Sequence, residues 1–197
     1  GIIFDNNKDY FDIAKKYQNN DISCLSILTD EKFFKGKDSH LVGIREIVDI
    51  PIIRKDFILD SYQLYESKML GADCILLILS MIDITLAKDL EAEAMDIGLD
   101  ILIETHNKEE MENALTMKSE LVGINNRNLN DFTVDIDNTI SLTGDSVDDK
   151  IYVSESGIKS RSDINYIIDK SPARTFLVGE SLMRSEKLEE QIRTLLS

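Results

Sequence analysis

Basic side chains are scarce in this sequence. Against 37 Asp and Glu there are 22 Lys and Arg, a formal net charge of −15. That balance argues against nucleic acid or an anionic membrane as the main partner, since both reward positive charge. It also makes any inward-facing Lys or Arg informative, because an anionic ligand needs local cations against an unfavourable overall field. Cysteine is limited to Cys24 and Cys74. Both lie in apolar runs, which points to reduced core thiols in a cytoplasmic protein rather than a disulfide framework. The two histidines, His40 and His106, have no ligand-spaced partners, so no metal site is expected. His106 falls two residues past Glu104 and could line the rim with it, but a solvated loop position is the leading expectation. No apolar run approaches a membrane span and no signal peptide is visible. An initiator Met is lacking too: the chain begins at Gly1, which points to a processed, engineered or truncated start.

What remains is an ordinary globular composition, 43% hydrophobic and 30% charged over 197 residues, with no composition break or linker. One domain spanning 1–197 is expected. After a polar opening segment, residues 9–17 carry apolar side chains at helical spacing. Strands are expected at 22–28, 52–57, 74–79, 101–104, 121–124, 151–153 and 175–178. Helices are expected at 41–48, 60–70, 83–97, 108–117, 135–142, 160–168 and 186–196, with Asp60 capping one and Gly71 closing it. Ser160 and Asp163 have the spacing of a capping box. A strand–helix unit returning every ~20 to 30 residues is the signature of a parallel sheet covered by helices.

Two architectures fit that alternation, a doubly wound open sheet and a (β/α)8 TIM barrel. No glycine-rich dinucleotide fingerprint follows any strand, which weakens the first. Polar residues at the C-terminal end of nearly every strand favour the second, because barrels keep their sites on that rim. Seven strands are visible where a barrel has eight, and the chain is about 50 residues shorter than a typical ~250-residue barrel. The missing unit is expected before Gly1.

Ile52-Ile53-Arg54-Lys55-Asp56-Phe57 holds the most informative strand end: β-branched residues run straight into charge, as in a buried strand that surfaces. An ion inside a strand costs several kcal/mol, on the order expected for an unpaired buried charge, so Lys55 belongs at a solvated rim or in a pocket that uses it. Collected with the other strand ends, Glu104, Asn125, Arg127 and Glu155 join it. A Lys and a Glu on one rim could act as general acid and base, or form an ordinary rim ion pair. Lys55 would reach a working pKa only if neighbouring cations or desolvation lowered it. Ser156-Gly157 and Gly179-Glu180-Ser181 follow consecutive strands, where barrel loops and a short helix N-terminus bind phosphate. Glu180 suits an anion site only with its amide facing the anion and its carboxylate turned away. Phe33, Phe34, Phe57 and Leu129, just past strand ends, would give an apolar wall for an aromatic ring, or would simply pack beneath the loops.

The runs Ser26-Ile27-Leu28-Thr29-Asp30-Glu31-Lys32-Phe33-Phe34, Ile53-Arg54-Lys55-Asp56-Phe57-Ile58, Gly123-Ile124-Asn125-Asn126-Arg127-Asn128-Leu129, Ser154-Glu155-Ser156-Gly157-Ile158 and Val178-Gly179-Glu180-Ser181-Leu182-Met183 resemble indole-3-glycerol-phosphate synthase, in order along the whole chain. The resemblance implies a (β/α)8 barrel lyase of tryptophan biosynthesis, without cofactor or metal. Its substrate would be an anionic phosphosugar, 1-(2-carboxyphenylamino)-1-deoxyribulose 5-phosphate, which undergoes ring closure, decarboxylation and dehydration. By that resemblance Lys55 matches the general acid and Glu104 the general base of the dehydration. Asn125 matches the residue holding a substrate hydroxyl, Arg127 a neighbouring charge, and Glu155 the carboxylate that orients the lysine. Ser156, Gly157, Gly179 and Glu180 match the phosphate loops, with Glu180 where the family commonly has Ser. Phe57, Leu76, Leu129 and Phe34 match the apolar pocket. The family's first strand with its Glu and Lys, and the helical extension before it, would precede Gly1, so the chain is expected to be an incomplete piece of an otherwise ordinary enzyme, and that piece by itself to be inactive. A monomer or weak homodimer is expected. The rival readings are another phosphosugar barrel, such as phosphoribosylanthranilate isomerase, and a catalytically inactive barrel used as a binding subunit.

Overall fold

The computed structural model describes residues 9–33, 35–129, 131–144 and 149–197. Helices and strands alternate along them: α1 (Tyr10–Gln18), β1 (Leu25–Leu28), α2 (Asp38–Arg45), β2 (Ile52–Lys55), α3 (Tyr62–Leu70), β3 (Cys74–Ile78), α4 (Ile84–Asp96), β4 (Asp100–Thr105), α5 (Lys108–Leu115), β5 (Leu121–Asn125), α6 (Asp137–Thr143), β6 (Ile151–Glu155), α7 (Arg161–Lys170), β7 (Thr175–Leu177), a short α8 (Glu180–Arg184) and α9 (Leu188–Leu196). Local chemistry sets several helix boundaries. Asp9, Asp83 and Asn107 accept amides of the first turns of α1, α4 and α5, which satisfies donors that have no partner inside the helix. Ser160 and Asp163 form the full capping box of α7. Gly71, at φ 95°, closes α3 in the left-handed conformation.

All seven strands are parallel and paired in chain order from β1 to β7. Successive side chains therefore sort strictly between two faces. On the outer face, Ile75, Leu77, Ile101, Ile103, Val122 and Ile124 pack with Leu64, Leu90, Met111 and Ile167 from the helices. On the inner face a smaller cluster, Cys74, Leu76, Ile78, Leu102 and Val153, packs with Ile53, Phe57 and Leu177. The sheet is curled: Lys55 at the end of β2 reaches Glu155 at the end of β6 at 3.0 Å. In a flat sheet those strands would stand roughly 19 Å apart, four interstrand spacings. Seven curled parallel strands with helices outside them make a partial (β/α)8 barrel, as expected. Helices α1 and α9, from opposite ends of the chain, pack together. There Asn20 donates to Glu189 and accepts from Arg193.

Several boundaries differ from the sequence expectation. The first strand begins at Leu25 instead of residue 22, so Cys24 lies before it and is half-buried, while Cys74 is buried. Burial raises the Cys24 thiol to about 11 and also raises that of Cys74. The second helix starts at Asp38, before its apolar residues begin. Asp60 accepts the Tyr62 amide from one residue further out than a cap of α3. Residues 180–184 form a separate short helix that the apolar spacing did not reveal. Phe34 and the opening residues 1–8 lie outside the described residues.

Candidate active site

At the C-terminal end of β2 two consecutive cations go to opposite faces. Arg54 does not surface, contrary to the reading of this stretch as a strand emerging into solvent. It is 3% exposed on the outer face. Its Nε donates to Thr29, Nη1 to Ser67, and Nη2 to Asp38 and Asp56, at 3.0–3.2 Å, and Glu66 lies 2.8 Å from Nη1. Thr29 in turn donates to Asp56 at 2.5 Å. This closed network ties the loops after β1 and β2 to α2 and α3, and so fixes the backbone from which Lys55 projects inward.

Lys55 spans the barrel. Its Nζ is 3.0 Å from Glu155 Oε2 and 3.5 Å from Glu104 Oε2. Burial would lower the amine, but the two carboxylates outweigh it and raise it above its ordinary value. The condition set for lowering it, neighbouring cations or a dominant desolvation, is not met, because the neighbours are anions. Lys55 is an ammonium at neutral pH. Burial drives Glu155 up, to about 7, with repulsion from Glu104 added and the Lys55 ammonium opposing. Burial acts the same way on Glu104, yet Lys55, His106 and Asn125 overcome it and bring that carboxylate down to about 2. The difference follows from donor supply. Asn125 Nδ2 donates to Glu104 Oε1 at 3.1 Å, and His106 Nε2 lies 3.1 Å from the same oxygen. Among the described residues Glu104 Oε2 and Glu155 Oε1 have no aligned hydrogen-bond partner.

Gly123 makes the room for this arrangement. It faces inward between Glu104 on β4 and Val153 on β6, and a Cβ there would collide with Oε1 of Glu155. His106 corrects another expectation: it is not a solvated loop residue. Its side chain is 11% exposed and lies between Glu104 and Glu110. Burial lowers the imidazole, but the two carboxylates outweigh that and raise it to about 9. The signal was present in the sequence. Strand parity carries residue 106 to the same side as 104, and Glu110 stands one helical turn beyond it.

The two glycine-bearing loops adjoin this centre. Ser156 and Gly157 both have positive φ, 63° and 85°, and Gly157 approaches Val134 and Ile136 too closely for a side chain. Asn126 holds the turn from beneath: its Nδ2 donates to Ser154 Oγ and the Ser156 carbonyl, and its Oδ1 accepts from the amide and hydroxyl of Thr139. This structural role was not legible from the Asn125-Asn126-Arg127 run. Gly179 precedes α8, and an added Cβ there would meet nothing within 4 Å. The Glu180 carboxylate is taken by Arg127 at 2.8 Å and Arg184 at 2.9 Å. Arg127 is thus paired with Glu180, while its amide donates to Asn125. Ser181 donates to the Ile158 carbonyl and joins the two loops. Of the apolar candidates, Phe57 meets Phe33 edge-on at 5.6 Å between ring centroids. Leu129 is exposed, and Leu76 is wholly buried in the inner-face cluster, as floor rather than wall.

Fold and site together define a partial parallel (β/α)8 barrel that gathers charged groups on its C-terminal rim. Comparison with known proteins is more specific. The family profile of indole-3-glycerol phosphate synthase matches residues 1–195. Two curated relatives of that description, from Azospirillum brasilense and Burkholderia lata, are each 45% identical, over 185 and 181 residues. Those matches cover 94% and 92% of this chain and 70% and 69% of the relatives. Among solved structures, a thiamine phosphate pyrophosphorylase from Pyrococcus furiosus superposes with a TM-score of 0.72 at 13% identity, covering 96% of this chain and 88% of that one. A chain of a tryptophan synthase α2β2 complex from the same organism gives 0.64 at 16%, covering 93% and 92%. These two share the fold. The chain belongs to the indole-3-glycerol phosphate synthase family, an enzyme family of tryptophan biosynthesis acting on a small phosphosugar-like substrate. No helix among the described residues is long and apolar enough to cross a membrane.

Proposed function

We propose that the rim around Lys55 closes the indole ring of 1-(2-carboxyphenylamino)-1-deoxyribulose 5-phosphate as a carboxy-lyase. In the first step the aromatic carbon bearing the carboxylate attacks the ribulose carbonyl carbon, and Lys55 donates a proton to the carbonyl oxygen. The carboxylate then leaves as CO2, and the electron pair of that bond restores the aromatic ring. Lys55, reprotonated from solvent after the first step, then protonates the new hydroxyl, which leaves as water while Glu104 Oε2 removes a proton from the carbon next to nitrogen; Glu104 afterwards gives that proton up to solvent. Glu155 orients Lys55, and Asn125 holds Glu104 and a substrate hydroxyl. Phe57 and Leu129, over the floor formed by Leu76, receive the aromatic ring; Phe34 is assigned there by family resemblance alone.

For the substrate phosphate we propose the loops Ser156-Gly157 and Gly179-Glu180. Positive φ at Ser156 and Gly157 marks a tight turn after β6, and successive amides of such a turn can serve as an anion-binding concavity. Glu180 takes part through its amide, with its carboxylate drawn aside by Arg127 and Arg184. Cytoplasmic location and a monomeric or weakly dimeric state complete the reading.

The observation that carries it is a single ammonium held across the barrel between two buried carboxylates. The test follows turnover of the carboxyphenylamino substrate by indole fluorescence in the natural protein. Lys55→Met should abolish turnover, with thermal stability changed far less than by truncating a core residue such as Leu77. Normal turnover without Lys55, or a collapse as large as the core variant's, would make Lys55 structural.

A further inference from the structure

Glu104 has a charged neighbour with no part in these steps. His106 lies just past the end of β4, and its Nδ1 is 3.1 Å from Glu110 Oε2 on α5. The same oxygen accepts the His106 amide at 2.8 Å, so both backbone and ring are anchored to the helix. Nε2, on the opposite side of the ring, faces Glu104 Oε1 at 3.1 Å. Nε2 makes no aligned hydrogen bond, so attraction between charges dominates this contact. Asn125 occupies the same Oε1. The other oxygen, Oε2, is left facing Lys55 at 3.5 Å.

We propose that His106 is a positioning residue for the reaction: anchored by Glu110, it clamps one oxygen of Glu104, keeps that carboxylate charged, and leaves the other oxygen free to take the substrate proton. This rests on the reading of Glu104 as the base. The charged groups in play are Glu104 on β4 and Glu110 on α5, with Lys55 from β2 and Glu155 from β6 beyond Glu104. An imidazolium within ion-pair distance favours the carboxylate form of Glu104, and removing it raises the affinity of the Glu104–Glu155 pair for a proton.

The test is the pH profile of kcat in the natural protein with His106→Gln and Glu110→Gln. His106→Gln keeps an N–H donor and removes the charge. Its acid limb should move up by about one pH unit, with kcat down about tenfold on that limb and KM within about twofold. Activity should return towards wild type near pH 9. Glu110→Gln should shift the limb the same way by less, and it tests the clamp even where His106→Gln folds poorly. Acid limbs within about 0.3 unit of wild type in both variants, or a loss of kcat that higher pH does not restore, would overturn the proposal. Glu104→Gln separates the two readings. Wild-type turnover in that variant refutes Glu104 as the base and removes the clamp's purpose, whereas a dead Glu104→Gln beside unshifted His106 variants refutes the clamp alone.

Discussion

Gly123→Ala adds one methyl group at the least forgiving point of the rim. The new Cβ would fall on Oε1 of Glu155 and stand 3.3 Å from Leu102 Cδ1. Glu155 is 1% exposed and cannot swing into water. It can relieve the collision only by turning towards Glu104, a like charge, or by letting go of Lys55, which its other oxygen holds at 3.0 Å. Overpacking of this kind costs roughly 1–3 kcal/mol, which lowers Tm by about 2–4 °C per kcal/mol in a chain of this size. Losing a charge-assisted hydrogen bond to Lys55 is worth about 1.5–3 kcal/mol. If Glu155 orients Lys55 for proton transfer, that loss appears as a fall of roughly 10- to 100-fold in kcat. Turnover by indole fluorescence and melting by circular dichroism measure the two effects. A double variant with Glu155→Gln should be scarcely slower than Glu155→Gln alone, because both changes act on one contact. A Gly123→Ala enzyme with kcat within twofold of wild type and an unchanged Tm would refute the reasoning: Glu155 would then have room to move, and its bond to Lys55 would not matter.

Arg54→Met should destabilise the fold by about 3–5 kcal/mol, measured by urea unfolding, because Asp56 and Thr29 stay buried without their cation. A loss below about 1 kcal/mol would mean that the network is worth no more than a surface pair. Stability should also depend on pH through His106. Its folded-state value of about 9 lies above the ordinary 6.5, so its contribution is complete below pH 6.5 and is lost as pH rises through 9. Linkage puts that loss at about 3 kcal/mol at most, and solvent screening of the partly exposed ring reduces it to roughly 1–2 kcal/mol. Wild-type Tm should therefore fall from pH 6.5 to 9.5, and the fall should be shallower in His106→Gln. Equal slopes would remove His106 from the balance.

The parallel repeat and the positions of its strands were legible because helix-covered strands are apolar on both faces and are separated by polar segments. Lys55, Glu104, Asn125 and Glu155 were legible as strand ends, and the structure brings them together. What failed depended on facts outside local pattern. Arg54 looked like part of an emerging strand, yet partners from residues 29, 38, 56, 66 and 67 close around it, and all five lie on other elements or loops. The direction of the Lys55 shift required knowing that the groups across the barrel are anions. Helix α8 was missed because five residues show too little periodicity. Asn126 was hidden by its place between two site residues, although parity alone puts it on the opposite face from Asn125.

Arg54 and Lys55 show how the fold separates structural charge from chemical charge. They are neighbouring cations on one strand, Arg54 buried and Lys55 partly buried. Arg54 has its fork filled by hydroxyls and carboxylates, so no ligand can compete for it without unpairing several groups at once, and such a site is inert. Lys55 faces two carboxylates that each keep one oxygen without an aligned hydrogen bond, that of Glu104 lying within ion-pair distance of the ammonium. Moving its proton or its partner therefore unpairs little else. Incomplete pairing is costly in a finished core, and among the described residues of this rim it falls on Glu104, Glu155 and His106. Glu104 is the proposed base, Glu155 and His106 hold Lys55 and Glu104 in place, and a substrate hydroxyl donating to the open carboxylate oxygens would complete their pairing.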